Sequence, residues 1–128
     1  MSILYKNQNQ YPDCILIREF NGEVTVHEII ASWNYLTENK LITSNIKGVI
    51  NNLVDCELKM DFNSFNILMD YLKDHEILKR LKLAVICRNP ETIIFPMLGE
   101  YTEKELQIKP FSTESAAVNW IMDIRKII

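Results

Sequence analysis

Leu81-Lys82-Leu83-Ala84-Val85-Ile86-Cys87, followed at once by Arg88-Asn89-Pro90-Glu91, is the stretch on which the fold turns. Short and almost continuously apolar, it reads as a strand covered on both faces, which belongs in the interior of a sheet. Asn89 as cap and Pro90 at the first helical position then open a helix. Its apolar stripe is expected through Ile94, Met97, Leu98 and Tyr101. Pro96 complicates that helix, because it cannot donate to the carbonyl of Thr92. A strand running straight into a helix is the unit of a layered α/β domain.

Working upstream, Ile46 to Val54 reads as a central strand despite the pair Asn51-Asn52, which strand propensity disfavours. A helix capped near Asp61 follows, with apolar positions Phe62, Phe65, Leu68, Met69 and Leu72, a break near Asp74-His75 and a short continuation to Arg80. Further upstream, Thr25-Val26-His27-Glu28 is a capping box opening a helix with apolar positions Val26, Ile29, Ile30, Trp33 and Leu36. Before it, Ile3-Leu4-Tyr5 and Cys14 to Phe20 form a hairpin, the second strand ending at Asn21-Gly22. Downstream, Leu106 to Phe111 is a strand in which Pro110 favours an edge, and Ser112 and Glu114 open a terminal helix through Ala117, Trp120, Ile121 and Ile124. The order is β-β-α-β-α-β-α-β-α, a single mixed five-stranded sheet with about four helices.

The composition agrees with one domain spanning 1–128. A chain of 128 residues with 48% hydrophobic and 24% charged residues can bury a core without metal or disulfide staples. Fourteen basic residues against seventeen acidic ones, a net charge of −3, argue against a nucleic-acid module. Cys14, Cys56 and Cys87 show no CxxC spacing and sit among apolar neighbours, so reduced thiols acting as small hydrophobes are expected. No run approaches the ~18 apolar residues of an integral membrane segment. Met1-Ser2-Ile3-Leu4-Tyr5-Lys6 lacks the pattern of a secretory signal, and a cytoplasmic location is expected.

Taken together, the hairpin into Phe20-Asn21-Gly22-Glu23-Val24-Thr25, the strand Gly48-Val49-Ile50 leading to Asp55, Leu83-Ala84-Val85-Ile86 before Asn89-Pro90, and Phe111 before Ser115 to Ile121 resemble the SpoIIAA-like branch of STAS-related domains. The resemblance runs from about Ile3 to Met122 and is carried by element order and spacing. It implies a small α/β domain with a sheet backed by helices. In anti-sigma-factor antagonists of this class a serine at the start of the helix after a central strand is phosphorylated. The corresponding region here is Asp55 to Ser64, where Phe62-Asn63 replaces the antagonists' Ser-Ser-Gly character and Ser64 is the one hydroxyl. Ser64 is thus a candidate phosphorylation site, against the alternative that it only caps its helix.

Three further groups of residues bear on function. The carboxyl ends of the strands bring a polar rim of Asn52, Asp55, Arg88, Asn89, Lys109, Ser112 and Thr113, where Asp55 and Arg88 could pair or Arg88 could hold an anion. The helices near 62–73 and 93–101 carry more apolar residues than a simple stripe, with Phe65, Met69, Ile94 and Met97 as an apolar face or pocket. His27 and His75 assemble no catalytic set, and no nucleophile elbow or metal-ligand spacing appears, so neither an enzyme nor a cofactor is expected. The reading is a non-enzymatic regulatory module that binds a protein partner or itself. Its alternative is a carrier or sensor of a small apolar, lipid-like ligand.

Overall fold

The computed structural model describes residues 1–124; the last four residues of the expected single domain lie outside the described residues. Six strands and five helices follow one another along them. These are β1 (Ser2–Asn7), β2 (Ile15–Thr25), α1 (Val26–Glu38), β3 (Gly48–Asn52), β4 (Cys56–Lys59), α2 (Phe62–Lys73), α3 (Glu76–Lys79), β5 (Lys82–Ile86), α4 (Pro90–Thr102), β6 (Gln107–Phe111) and α5 (Glu114–Ile121).

The sheet order is β1-β2-β3-β5-β6, with β4 beside the far end of β2. Only β1 is antiparallel; the other pairings are parallel. The opening hairpin, the interior place of β5 and the edge place of the Pro110 strand are as the sequence predicts. The expected five strands become six because Cys56–Lys59, with no apolar run of its own, pairs with the end of β2. The expected four helices become five because α2 and α3 separate at Asp74-His75, where the expected break leaves α3 as a single turn.

Asn21-Gly22 does not end β2. Gly22 adopts φ 82°, open to glycine at no steric cost, and the strand bends there. Its first part pairs with β3 through Ile15 to Glu19, and its second with β4 from Gly22 to Thr25. The Gly22 N–H donates to the carbonyl of Asp55 at 3.2 Å, which ties the bend to the β3–β4 connection.

Side-chain alternation sorts the strands onto two faces. Leu16, Phe20, Val24, Val49, Leu53, Leu83 and Ile108 face α1, α2, α3 and the inner side of α4. Ile15, Ile17, Ile50, Ala84 and Ile86 face α5 through Ala117, Val118 and Ile121. Ile124 lies beyond α5, whose helix ends at Ile121 and turns at Asp123 with φ 55°. Gly48 is where α5 comes closest: a Cβ there would sit 2.7 Å from Ile121 Cγ2 and 2.7 Å from the Lys82 carbonyl oxygen.

Gly48→Ala is therefore expected to cost about 1–3 kcal/mol, as overpacking against backbone cannot be relieved by a rotamer change. Urea unfolding measures it. Adding Ile121→Ala should recover only part of the loss, since the Lys82 carbonyl stays in place; full recovery would mean that only the side chain is in the way.

Candidate functional site

Arg18 stands at the centre of the α1–α2 face of the sheet. Alternation along β2 places it between Leu16 and Phe20, so the guanidinium points inward, and only 2% of the residue is exposed. Its register partner across β3 is Asn51, itself buried. Asn51 Oδ1 accepts from Arg18 Nε at 2.8 Å and from Nη2 at 2.6 Å. The Asn51 amide donates onward to the Ala84 carbonyl at 3.0 Å, so the pair is anchored to β5 as well. Nη1 donates to Ser32 Oγ at 3.0 Å, and Ser32 shares a hydrogen bond of 2.8 Å with the Tyr5 hydroxyl.

The guanidinium also stacks on aromatic rings. Its Cζ lies 3.7 Å from the Trp33 ring centroid and 5.0 Å from that of Phe20, which suits the delocalised Arg cation better than an ammonium. No carboxylate pairs with it: among the described residues the ion pairs all use other cations. The titratable groups whose fields reach it are the Tyr5 and Tyr71 hydroxyls. Desolvation by burial, without an anion to offset it, pulls its pKa down to about 9.

Beside Arg18 is a cavity of about 80 Å³ between the sheet and the inner sides of α2 and α4. Asn51 and Val85 line its sheet side, Phe65, Leu68, Met69 and Leu72 its α2 side, and Phe95 and Pro96 its α4 side. Trp33 and Ile29 of α1 complete the wall nearest Arg18. Arg18 and Asn51 are the strongly polar groups in an otherwise apolar lining.

The expected apolar face divides in two. Phe65 and Met69 are buried and line the cavity, whereas Ile94 and Met97 are 49% and 52% exposed and lie outside it. Of the expected α4 stripe, Leu98 packs against the core, while Ile94, Met97 and Tyr101 are turned away from it. Pro96, Gly99 and Thr92 form the buried side instead, with Gly99 close enough that its Cβ would meet Ile108 Cδ1 at 3.3 Å. Only a small residue lets α4 approach β6 so closely. That contact fixes the helix rotation and sends Ile94, Met97 and the 79%-exposed Tyr101 outward.

The polar rim does not converge on a site. Asn52 Oδ1 accepts from the Val54 N–H at 3.0 Å, Asn89 Oδ1 caps α4 through Glu91 N–H at 2.9 Å, and Thr113 caps α5 through Ala116 N–H at 3.2 Å. Lys109 faces Glu100 at 3.8 Å. Arg88 and Ser112 are exposed, and Asp55 and Arg88 form no ion pair with each other. Ser64 is the third residue of α2 in a reciprocal cap: its Oγ accepts from the Asp61 N–H at 2.9 Å and donates to Asp61 Oδ1 at 2.9 Å. A phosphate there would displace that cap and set a dianion beside the Asp61 carboxylate.

The cysteines are free, and burial raises the Cys56 thiol to about 11 and the Cys87 thiol in the same direction. Both stay protonated and poorly nucleophilic at neutral pH. His75 stacks on Tyr71 with ring centroids 4.2 Å apart, while Tyr71 donates to Asn34 Oδ1 at 2.5 Å. Among the described residues no group of three His, Cys, Asp or Glu side chains could hold a metal ion, and no helix is long and apolar enough to cross a membrane.

This architecture, a mainly parallel sheet with an N-terminal antiparallel strand and helices on both faces, is a SpoIIAA-like fold. Solved structures that share it include the following two. The anti-sigma factor antagonist SpoIIAA, in its unphosphorylated form, superposes with a TM-score of 0.58 at 12% identity over 96% of this chain and 100% of its own. An uncharacterised DUF3478-family protein with a SpoIIAA-like fold, from Shewanella loihica PV-4, gives 0.62 at 16% identity over 94% and 92%. At these identities the likeness is one of fold. No protein-family model and no curated protein sequence matches the chain.

Removing Asn51 and removing Arg18 should differ in cost, because the first strands a buried charge and the second only a neutral amide. Asn51→Leu strips the two strongest hydrogen bonds from a buried cation and is expected to cost about 2–4 kcal/mol. Arg18→Met removes the charge itself but leaves the buried Asn51 Oδ1 without a donor, and is expected to cost less, about 1–3 kcal/mol. Combining the two should recover most of the Asn51→Leu loss. Because the folded-state pKa of Arg18 lies below the unfolded one, the unfolded chain holds the extra proton above about pH 9. The parent therefore gains on Arg18→Met as pH rises through 9, and chemical denaturation of both proteins between pH 7 and 10 reads that gap. A gap independent of pH, or an Arg18→Met protein less stable than Asn51→Leu, contradicts the assignment.

Proposed function

We propose that the protein is a non-enzymatic regulatory module that works by docking a protein partner on the outer side of α4. The observation that carries this reading is the strip Ile94, Met97 and Tyr101, spaced i, i+3 and i+7, exposed along one line of the helix. Phe62 at the start of α2 is a further exposed aromatic, 63% exposed, whose ring meets that of Phe95 on the inner side of α4 edge-on at 6.3 Å. Contiguous exposed apolar side chains of this kind mark interaction surfaces. The shared fold supports the reading, since SpoIIAA is an anti-sigma factor antagonist and so acts on another protein.

A self-association face of the same strip is the competing arrangement, and a partner helix presenting its own apolar side chains is the occupant favoured here. The lipid-carrier alternative finds less support. A cavity of about 80 Å³ falls well below the roughly 300–1,000 Å³ of ordinary ligand pockets.

A photo-crosslinking side chain placed at Met97 in the native cell should capture one protein species, whereas the same group at Ser115 on α5 should not. The purified partner should then bind the parent protein and lose at least tenfold in affinity to Ile94→Glu/Met97→Glu, with the variant's melting temperature unchanged. Equal capture at Met97 and Ser115, or undiminished affinity of the double variant, rejects the α4 face. Capture of a second copy alone, with a dimer in solution that the double variant dissolves, replaces the partner by the protein itself.

A further inference from the structure

The cavity beside Arg18 is independent of the α4 strip. We propose that it is a binding site for a small monocarboxylate with a short apolar tail. A guanidinium has five N–H groups, and Arg18 uses Nε–H and one N–H on each terminal nitrogen for Asn51 and Ser32. One N–H on Nη1 and one on Nη2 are left over. Such a pair matches the two oxygens of a carboxylate, which a guanidinium fork binds in bidentate fashion.

Charge argues the same way. A buried cation without an acidic partner is costly, and here the residues around it supply neutral acceptors and aromatic faces only. A ligand anion would supply the missing charge within the low-dielectric interior. The remaining wall selects the rest of the molecule: Phe65, Leu68, Met69 and Phe95 offer carbon surface and no hydrogen-bonding side chain. A polyanion such as phosphate would overcompensate the single charge and find no further donors among those side chains.

Size bounds the tail. An apolar cavity of about 150 Å³ admits benzene. At about 80 Å³, roughly half the volume that takes benzene's six carbons, this one suits a tail of roughly three carbons. Longer acids would have to part α2 from α4, so affinity should rise from acetate to butyrate and fall again at octanoate.

Butyrate titrated into the ¹⁵N-labelled full chain tests the site by NMR. Saturable shifts of the Trp33 indole N–H and the Arg18 Nε–H are expected, with a Kd of roughly 1 mM or tighter. Butanol, which keeps the tail without the charge, and inorganic phosphate, which keeps the charge without the tail, should each bind at least tenfold more weakly. Arg18→Met should lose at least tenfold in butyrate affinity. Leu68→Phe, which fills the cavity and leaves Arg18 in place, should lose butyrate binding to a similar degree, and it carries the test should Arg18→Met fail to fold. Absence of saturation with butyrate overturns the proposal. So does undiminished binding in both variants, or phosphate binding as tight as butyrate with no dependence on chain length.

Discussion

A charged side chain in the middle of a sheet has to be held from several directions, and in this protein Arg18 is held by the neighbouring strand and by α1 at once. Asn51 on the neighbouring strand takes two of its hydrogen bonds, Ser32 on α1 takes a third, and Trp33 on α1 covers the planar face. Asn51 is fixed in turn by the Ala84 carbonyl of β5. The network therefore ties the register of β2, β3 and β5 to the position of α1. A one-residue slip of β2 would turn Arg18 out and bring Ile17 in, leaving Asn51 buried without its partner.

The cavity follows from the same arrangement. A guanidinium beside apolar neighbours keeps Phe65, Leu68 and Met69 from closing fully onto the sheet, because they have nothing to offer its remaining N–H groups. α4 adds the opposite wall only because Gly99 lets it approach β6. That approach has a second consequence, the outward display of Ile94, Met97 and Tyr101. The inner and outer sides of α4 thus serve two different surfaces, one facing the buried charge and one facing solvent.

Much of the fold was legible in the sequence, and the reasons for the misses are physical. The apolar run Leu83 to Cys87, the Thr25–Glu28 capping box and Pro110 announced interior strand, helix start and edge in local terms that tertiary packing left intact. β4 has no such local signature; Cys56–Lys59 becomes a strand because the Gly22 bend offers it an edge. Ile94 and Met97 look like core because the stripe they form is regular, yet the small side of α4, Pro96 and Gly99, is the one that packs. Hydrophobicity ranked the two sides of that helix wrongly, and steric fit decided between them. Arg18 was readable and passed over: it alternates with Leu16 and Phe20 in a strand apolar on both faces, and Asn51 breaks β3 in the same polar way. Two polar residues at inward positions of adjacent strands are the signal that could have found the pair.

The account rests on a guanidinium that is buried, cationic, fixed and without an acidic partner, and NMR of the arginine side chains observes those properties directly. At neutral pH the Arg18 Nε–H and its two terminal nitrogens should give separate, slowly exchanging resonances with the shifts of a protonated guanidinium, distinct from the averaged signals of exposed Arg80 and Arg88. A rapidly exchanging Arg18 with rotationally averaged terminal nitrogens would show that the side chain is solvated and mobile, and the account of both the sheet register and the cavity would fail with it.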